Sequence, residues 1–153
     1  MRAILALLLL SLPAQALELE LRDFYELSRP DSLEFDPDFC GLWIANEGPE
    51  AVLYTLDGLE LRRVTSDLPR IKAITREGTN LIVADGFGGF QRLSRDGEAL
   101  GAPFRMGRSV DTEGLAITAE GLILAVEDEP GHLLWLAPDG SVERRIGGDA
   151  VGP

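Results

Sequence analysis

The sequence predicts an all-β, β-propeller-like chain: about three four-stranded blades forming an incomplete ring, preceded by a signal peptide. Three observations carry this. Asp-Gly pairs recur at Asp57-Gly58, Asp96-Gly97 and Asp139-Gly140, roughly every 40 residues, which is the period of a four-stranded blade. Each pair follows short apolar runs of strand length. Helical periodicity is absent after the N-terminal segment.

The first 16 residues, MRAILALLLLSLPAQA, combine a basic start at Arg2, an apolar run, Pro13 and an Ala14-Gln15-Ala16 site. That is the pattern of a secretory signal peptide, with an apolar run too short to span a bilayer. Residues 1–16 are therefore expected to be removed, leaving residues 17–153 as one propeller domain in the periplasm or outside the cell.

Blade one begins with SLEFDP, continues through LWIANEGPEAVLYT, turns at Asp57-Gly58 and leaves through LELRRV. Blade two runs from IKAITREG through LIVADGFGGFQRLS to Asp96-Gly97. Blade three runs from GLAITAEG through LILAVEDEPGHLLWLA to Asp139-Gly140 and SVERRI. Asp-Gly suits a tight hairpin because both residues tolerate positive φ. The runs LWIA, LIVA and LILAV are continuous and apolar, as strands buried on both faces are. LELRRV and SVERRI alternate, as outer strands with one wet face do. An antiparallel sandwich is the alternative, and the regular spacing favours repetition. Three blades are too few for a closed ring, which takes about 4–8. The chain therefore reads as truncated at its C-terminus, or as completing itself by self-association through open blade edges.

The formal charge is −12. Such a surface repels nucleic acid and anionic lipid and favours cations. No later run is apolar enough for a stable membrane span. Cys40 is the sole cysteine, so no intrachain disulfide can form, and a small buried thiol is expected.

Antiparallel strand order sorts the loops between two ends. Asp111, Glu113 and the loop Glu127–Gly131 share one end of blade three with His132, the only histidine. Asn46-Glu47 and Asp85 hold the matching place in blades one and two, and Lys72 lies near the start of blade two. Ala119-Glu120-Gly121 and the Asp-Gly turns fall at the other end. Carboxylates collected at a channel mouth repel one another, and a bound cation relieves that. Calcium prefers such oxygen ligands, with Asp111, Glu113, Glu129, Asn46 and Asp85 as candidate ligands. The same crowding suits acid–base chemistry, since neighbours raise one carboxylate pKa. Asp111, Glu113, Glu129 and His132 are the catalytic candidates. Solvated loop acids without any ligand are the plainer alternative. GFGGF, residues 86–90, follows a strand without opening a helix, so it is a turn and no dinucleotide site.

DTEGLA at Asp111–Ala116, followed by an apolar strand and EPGHLL at Glu129–Leu134, resembles the phytase-like family, named for the esterase-like activity of phytase. The resemblance covers about Asp111 to Gly140 and implies a secreted bacterial propeller that hydrolyses phosphoesters or esters. A GLSGL-type opening is replaced here by DSLEFDP. The blade-one stretch LEFDPDFCGLWIANEGPEAVLYTLDGLELRRV and VDTEGLA are also similar to SdiA-regulated proteins, and gluconolactonase-type lactonases are more distant. Two classes follow: a calcium-assisted hydrolase, or a non-catalytic periplasmic module that binds a small-molecule ligand or a partner.

Overall fold

A computed structural model describes residues 26–27, 29–46, 48–107, 111–129 and 131–148. The expected signal peptide, Glu47 and Pro130 lie outside the described residues. The described chain forms twelve strands in three antiparallel four-stranded sheets. The first sheet holds β1 (Ser32–Asp36), β2 (Gly41–Ala45), β3 (Glu50–Thr55) and β4 (Glu60–Thr65). The second holds β5 (Ala73–Glu77), β6 (Asn80–Ala84), β7 (Gly89–Ser94) and β8 (Phe104–Arg105). The third holds β9 (Thr112–Ile117), β10 (Ile123–Glu127), β11 (His132–Leu136) and β12 (Val142–Gly147). Each sheet is a meander in chain order. The first strands β1, β5 and β9 neighbour one another in space, so they line the axis. This is the expected propeller-like arrangement of three blades.

The Asp-Gly turns take their predicted places. Gly58, Gly97 and Gly140 each have positive φ, and each amide closes a tight turn onto Thr55, Ser94 or Ala137. Blade two departs from the plan in its last strand, which is only two residues long. Gly101 at φ 110° and Pro103, which has no N–H for a ladder, interrupt the run where blades one and three have a full strand. Cys40 also departs from expectation: it is exposed and free. It ends the short turn after β1 at φ 47°, and this places its side chain outside the sheets.

Two apolar clusters hold the blades together. Trp43, Ala45, Ala51, Leu53 and Val64 of blade one meet Ile74, Leu81, Val83 and Leu93 of blade two. Ala73, Ile82, Ala84 and Phe90 of blade two meet Ile123, Ala125, Leu134 and Leu136 of blade three. Each fully buried side chain of the larger kind stabilises the fold by about 2 kcal/mol relative to exposure. The double burial expected of all three core runs occurs only in β6, whose apolar residues 81–84 are all buried. In β2 and β10 buried residues alternate with partly exposed ones, because each of those blades has a neighbour on one face only.

The two ends of the blades are pinned differently. At the end carrying the Asp-Gly turns, buried Asp36 accepts from Trp43 Nε1 at 3.0 Å and Arg95 Nη1 at 3.1 Å. Arg95 also reaches Asp38 at 2.7 Å, and the Phe39 ring lies between the guanidinium groups of Arg62 and Arg95. This network ties the β1–β2 turn of blade one to the β7 hairpin of blade two. The opposite end carries the candidate site.

Candidate functional site at the channel mouth

Asp111 and Glu113 flank Thr112 where the chain enters β9, so alternation along the strand sends both carboxylates to one side. Thr112 turns the other way and is buried. The loop after β10 folds back onto this segment, with Asp128 N donating to Asp111 O at 3.0 Å. Asp111, Glu113 and Asp128 each bring a carboxylate oxygen within 4.8 Å of the others. Oxygen donors at that spacing could hold a metal ion.

A cation from the chain already serves two of the three. Lys72, just before β5, hydrogen-bonds Asp111 Oδ1 at 2.7 Å and also bonds Glu113. Burial pulls the Lys72 pKa down, but the bonds to Asp111 and Glu113 outweigh it and the net displacement is upward. Arg70 lies on the same side. Its guanidinium stacks over the Phe87 ring at 5.2 Å, and its Nε is buried with no hydrogen bond among the described residues. Gly86 fits between these groups because it lacks a side chain. A methyl group there would collide with Arg70 Nη2 and come within 2.7 Å of Asp111 Oδ1.

His132 opens β11 directly opposite Glu127 of β10. Its Nδ1 lies 2.6 Å from Glu127 Oε2, and both residues are buried. The other ring edge is also covered. A methyl group at Gly148 would collide with His132 Nε2, and the Gly148 amide bonds Gly131 O at 3.0 Å. The pair borders a shallow groove of about 450 Å³ shared with Glu113, Asp128 and Gly131.

The predicted residues thus divide. Asp111 and Glu113 converge as expected, and His132 stands close by. Glu129 is exposed and is not part of the acidic cluster; Asp128 takes that place. The β9–β10 register shifts between Val126 and Glu127, and the extra residue is Glu113 on β9, while β10 pairs with β11 without a break through Glu127. Glu127 is the blade-three counterpart of Asn46 and Asp85, which follow β2 and β6. Asn46 Oδ1 is buried with no hydrogen-bond partner among the described residues. Asp85 is fully buried and caps its own turn: Oδ1 accepts from Phe87 N at 2.7 Å and Gly89 N at 2.8 Å. Oδ2 faces Arg105 at 3.8 Å. The GFGGF stretch is accordingly a capped turn between β6 and β7. Arg70 and Asp128 were missed from sequence because only tertiary contact brings them to the cluster.

The fold and site define an all-β repeat protein of propeller-like class. No protein-family profile matches the chain, and no curated protein does. Many solved structures share the fold, and two of them illustrate the likeness. One is a protein of unknown function from Bacteroides caccae, with a TM-score of 0.61 and 15% identity over 77% of this chain and 46% of its own. The other is hydrazine synthase from Kuenenia stuttgartiensis, with a TM-score of 0.60 and 13% identity over 76% of this chain and 36% of its own. At such identities the likeness is one of fold. The chain spans less than half the length of either.

Proposed function

We propose that this is an exported propeller of the phytase-like kind, whose channel mouth takes a divalent cation and an anionic small-molecule ligand. The convergence of Asp111, Glu113 and Asp128 around Lys72 carries this reading. Calcium is the metal these oxygen donors suit, and when bound it supplies Lewis-acid polarisation of a phosphoryl or acyl oxygen. The chain's own residues then hold the ligand. Lys72, released from one carboxylate, donates to a ligand oxygen. Arg70, braced by Phe87, adds a fixed positive charge beside it. These two side chains supply the positive charge that a phosphate ligand needs beside the acidic cluster. Under this reading the enzyme cleaves a phosphoester or carboxylic ester, with a mouth carboxylate moving the proton.

A specific observation favours a non-catalytic module of the SdiA-regulated type instead. His132 has Nδ1 committed to Glu127 and its Nε2 edge against Gly148, which suits a structural histidine better than a proton carrier. Assays of the exported protein against p-nitrophenyl phosphate and p-nitrophenyl acetate, with calcium or with EGTA, separate the two. Chelator-sensitive turnover of either ester supports the hydrolase. Calcium binding without turnover supports the binding module, and neither binding nor turnover removes both. N-terminal sequencing of exported protein should begin at Leu17, and an intact Met1 terminus would refute the export assignment.

A further inference from the structure

Acidic side chains outnumber lysine and arginine by 26 to 14, and the part-buried arginines are paired accordingly. Arg62 meets Asp96, Arg76 and Arg95 meet Asp38, and Arg92 meets Glu77. Arg70 is the exception. It is part-buried as well, yet its guanidinium has no hydrogen bond or ion pair among the described residues. Its Cζ lies 5.2 Å from the centroid of the Phe87 ring, and Phe87 is 51% exposed. Arg105 of β8 reaches the same turn from the other side. It donates to Phe87 O at 3.4 Å and stands 3.8 Å from Asp85 Oδ2, and its side chain is 59% exposed. Lone exposed aromatic residues are ordinary on protein surfaces. This one is flanked by two guanidinium groups with donors to spare, in a chain of net charge −12.

The backbone fixes each of these groups in place. Phe87 sits in the GFGGF turn, where Asp85 Oδ1 accepts from Phe87 N at 2.7 Å and Gly89 N at 2.8 Å. Gly88 O accepts from Met106 N at 3.0 Å, which ties the turn to the end of β8. Arg70 belongs to the connector between blades one and two. Its neighbour Ile71 donates to Gly48 O at 2.6 Å, and Lys72 N donates to Ala84 O at 2.8 Å. Earlier in the connector, Asp67 is held by Gln91, which is fully buried. Gln91 Oε1 accepts from Asp67 N at 2.7 Å and Nε2 donates to Asp67 Oδ2 at 2.6 Å. A buried amide is costly unless bonded, and here both of its ends hold the connector. Groups ordered before a ligand arrives lose less freedom when it binds.

We propose that Phe87, Arg70 and Arg105 form a metal-independent subsite at the mouth for an aryl oxyanion. The ligand's ring lies against Phe87, and its phosphate or carboxylate takes the spare guanidinium donors. Aromatic rings gain from offset or edge contact with one another, and guanidinium groups match the oxygens of carboxylates and phosphates. Gly86 sets this platform against the acidic cluster, since a methyl group there would meet both Arg70 Nη2 and Asp111 Oδ1. An oxyanion at Arg70 therefore lies beside Asp111, Glu113 and Asp128 and does not depend on an ion among them. The inference rests on the reading that the mouth takes an anionic ligand. It adds that the ligand carries a planar ring and that its anion is read by arginine without calcium.

Titration calorimetry of the exported protein in EGTA tests it, with phenylphosphonate against methylphosphonate and benzoate against acetate at fixed ionic strength. In at least one pair the aryl anion should bind severalfold tighter than its methyl counterpart, and the pair that shows this separates phosphate from carboxylate. Phe87→Ser should abolish that preference and leave the weaker binding of the methyl anion in place. Arg70→Met should weaken the aryl anion about tenfold or more, and Arg105→Met severalfold. Equal affinities for aryl and methyl anions on the wild type, or no binding of either, overturn the proposal. Binding that appears only when calcium replaces EGTA puts the anion on the metal; it overturns this subsite and leaves the proposed function standing. Aryl binding in EGTA by a protein that calcium does not stabilise supports the subsite and removes the metal instead. Phe87 and Arg105 are exposed, so their variants keep the fold where Arg70→Met does not, and an unchanged aryl preference in Phe87→Ser overturns the proposal by itself.

Discussion

Glu127 and His132 face each other across the β10–β11 hairpin with Nδ1 2.6 Å from Oε2, both buried. With Glu127 ionised, its carboxylate can only accept, and the hydrogen of this bond then belongs to Nδ1. The pair closes the β10–β11 hairpin, whose register runs unbroken to these two residues. Glu127→Ala strands a buried imidazole and should destabilise the fold by about 3 kcal/mol. Glu127→Gln keeps an acceptor and should cost less. Urea denaturation midpoints check this, and an unchanged midpoint for Glu127→Ala would remove the pair from the list of stabilising contacts.

Lys72 gives the alkaline limb of stability a definite sign. Its side chain is mostly buried and bonded to Asp111 and Glu113, and its folded pKa lies above the ordinary 10.5. The folded state therefore holds the proton more tightly than the unfolded state. The resulting stabilisation is complete below the unfolded value and is lost as pH rises through the raised folded value. Wild type should lose stability above about pH 10.5, whereas Lys72→Met should start lower at pH 8 and lack this component of the decline. Urea melts at pH 8 and pH 11 measure both; parallel losses in the two proteins would contradict the assignment.

Asp36 governs the acid side. Burial pushes its carboxyl up, but hydrogen bonds from Trp43, Arg95 and Asp38 N and the charge of Arg76 bring it below the ordinary 3.8. The stabilisation is present above that value and fades as pH falls through the lowered one. Asp36→Asn removes the charge that Arg95 and Arg76 face and should cost about 2–3 kcal/mol at pH 7. The gap between variant and wild type should narrow as pH falls from 4 to 2. A gap that stays constant over that range would mean that the charge of Asp36 is not what matters.

The blades were legible because their signals are local. Asp-Gly turns, apolar runs and charged outer strands each act within a few residues, and they recovered nearly every strand. What failed locally was decided by neighbours. Pro103 cut the last strand of blade two, although the preceding Asp96-Gly97 turn matched its counterparts. Cys40 reads as a small apolar residue, yet a left-handed turn carries it to the surface. At the site, Asp111 and Glu113 were found because strand alternation fixes their side. Asp128 was passed over for Glu129 because the loop's fold-back, with Asp128 N bonded to Asp111 O, is a tertiary contact that spacing does not encode. The contacts of Lys72 and Arg70 join blade two to blade three, and no sequence spacing encodes them.

The exchange of Glu129 for Asp128 gives the sharpest test of the mouth. If Asp111, Glu113 and Asp128 hold calcium, their negative charge is crowded in the absence of metal and relieved by it. A ligand bound only by the folded state raises its stability by mass action, so calcium should raise the melting temperature of the wild type. Glu113→Gln and Asp128→Asn keep size and remove charge, and each should reduce the calcium-induced shift severalfold. Glu129→Gln, outside the cluster, and Glu120→Gln, at the opposite end of blade three, should leave it intact. Lys72→Met should enlarge the shift, since the metal no longer competes with an ammonium group for Asp111 and Glu113. Thermal melts with and without calcium, against magnesium and EGTA controls, read all five variants. Equal shifts across the series would mean that the acids are solvated loop charges. Losses for Glu113→Gln and Glu129→Gln with none for Asp128→Asn would restore the ligand set read from sequence alone.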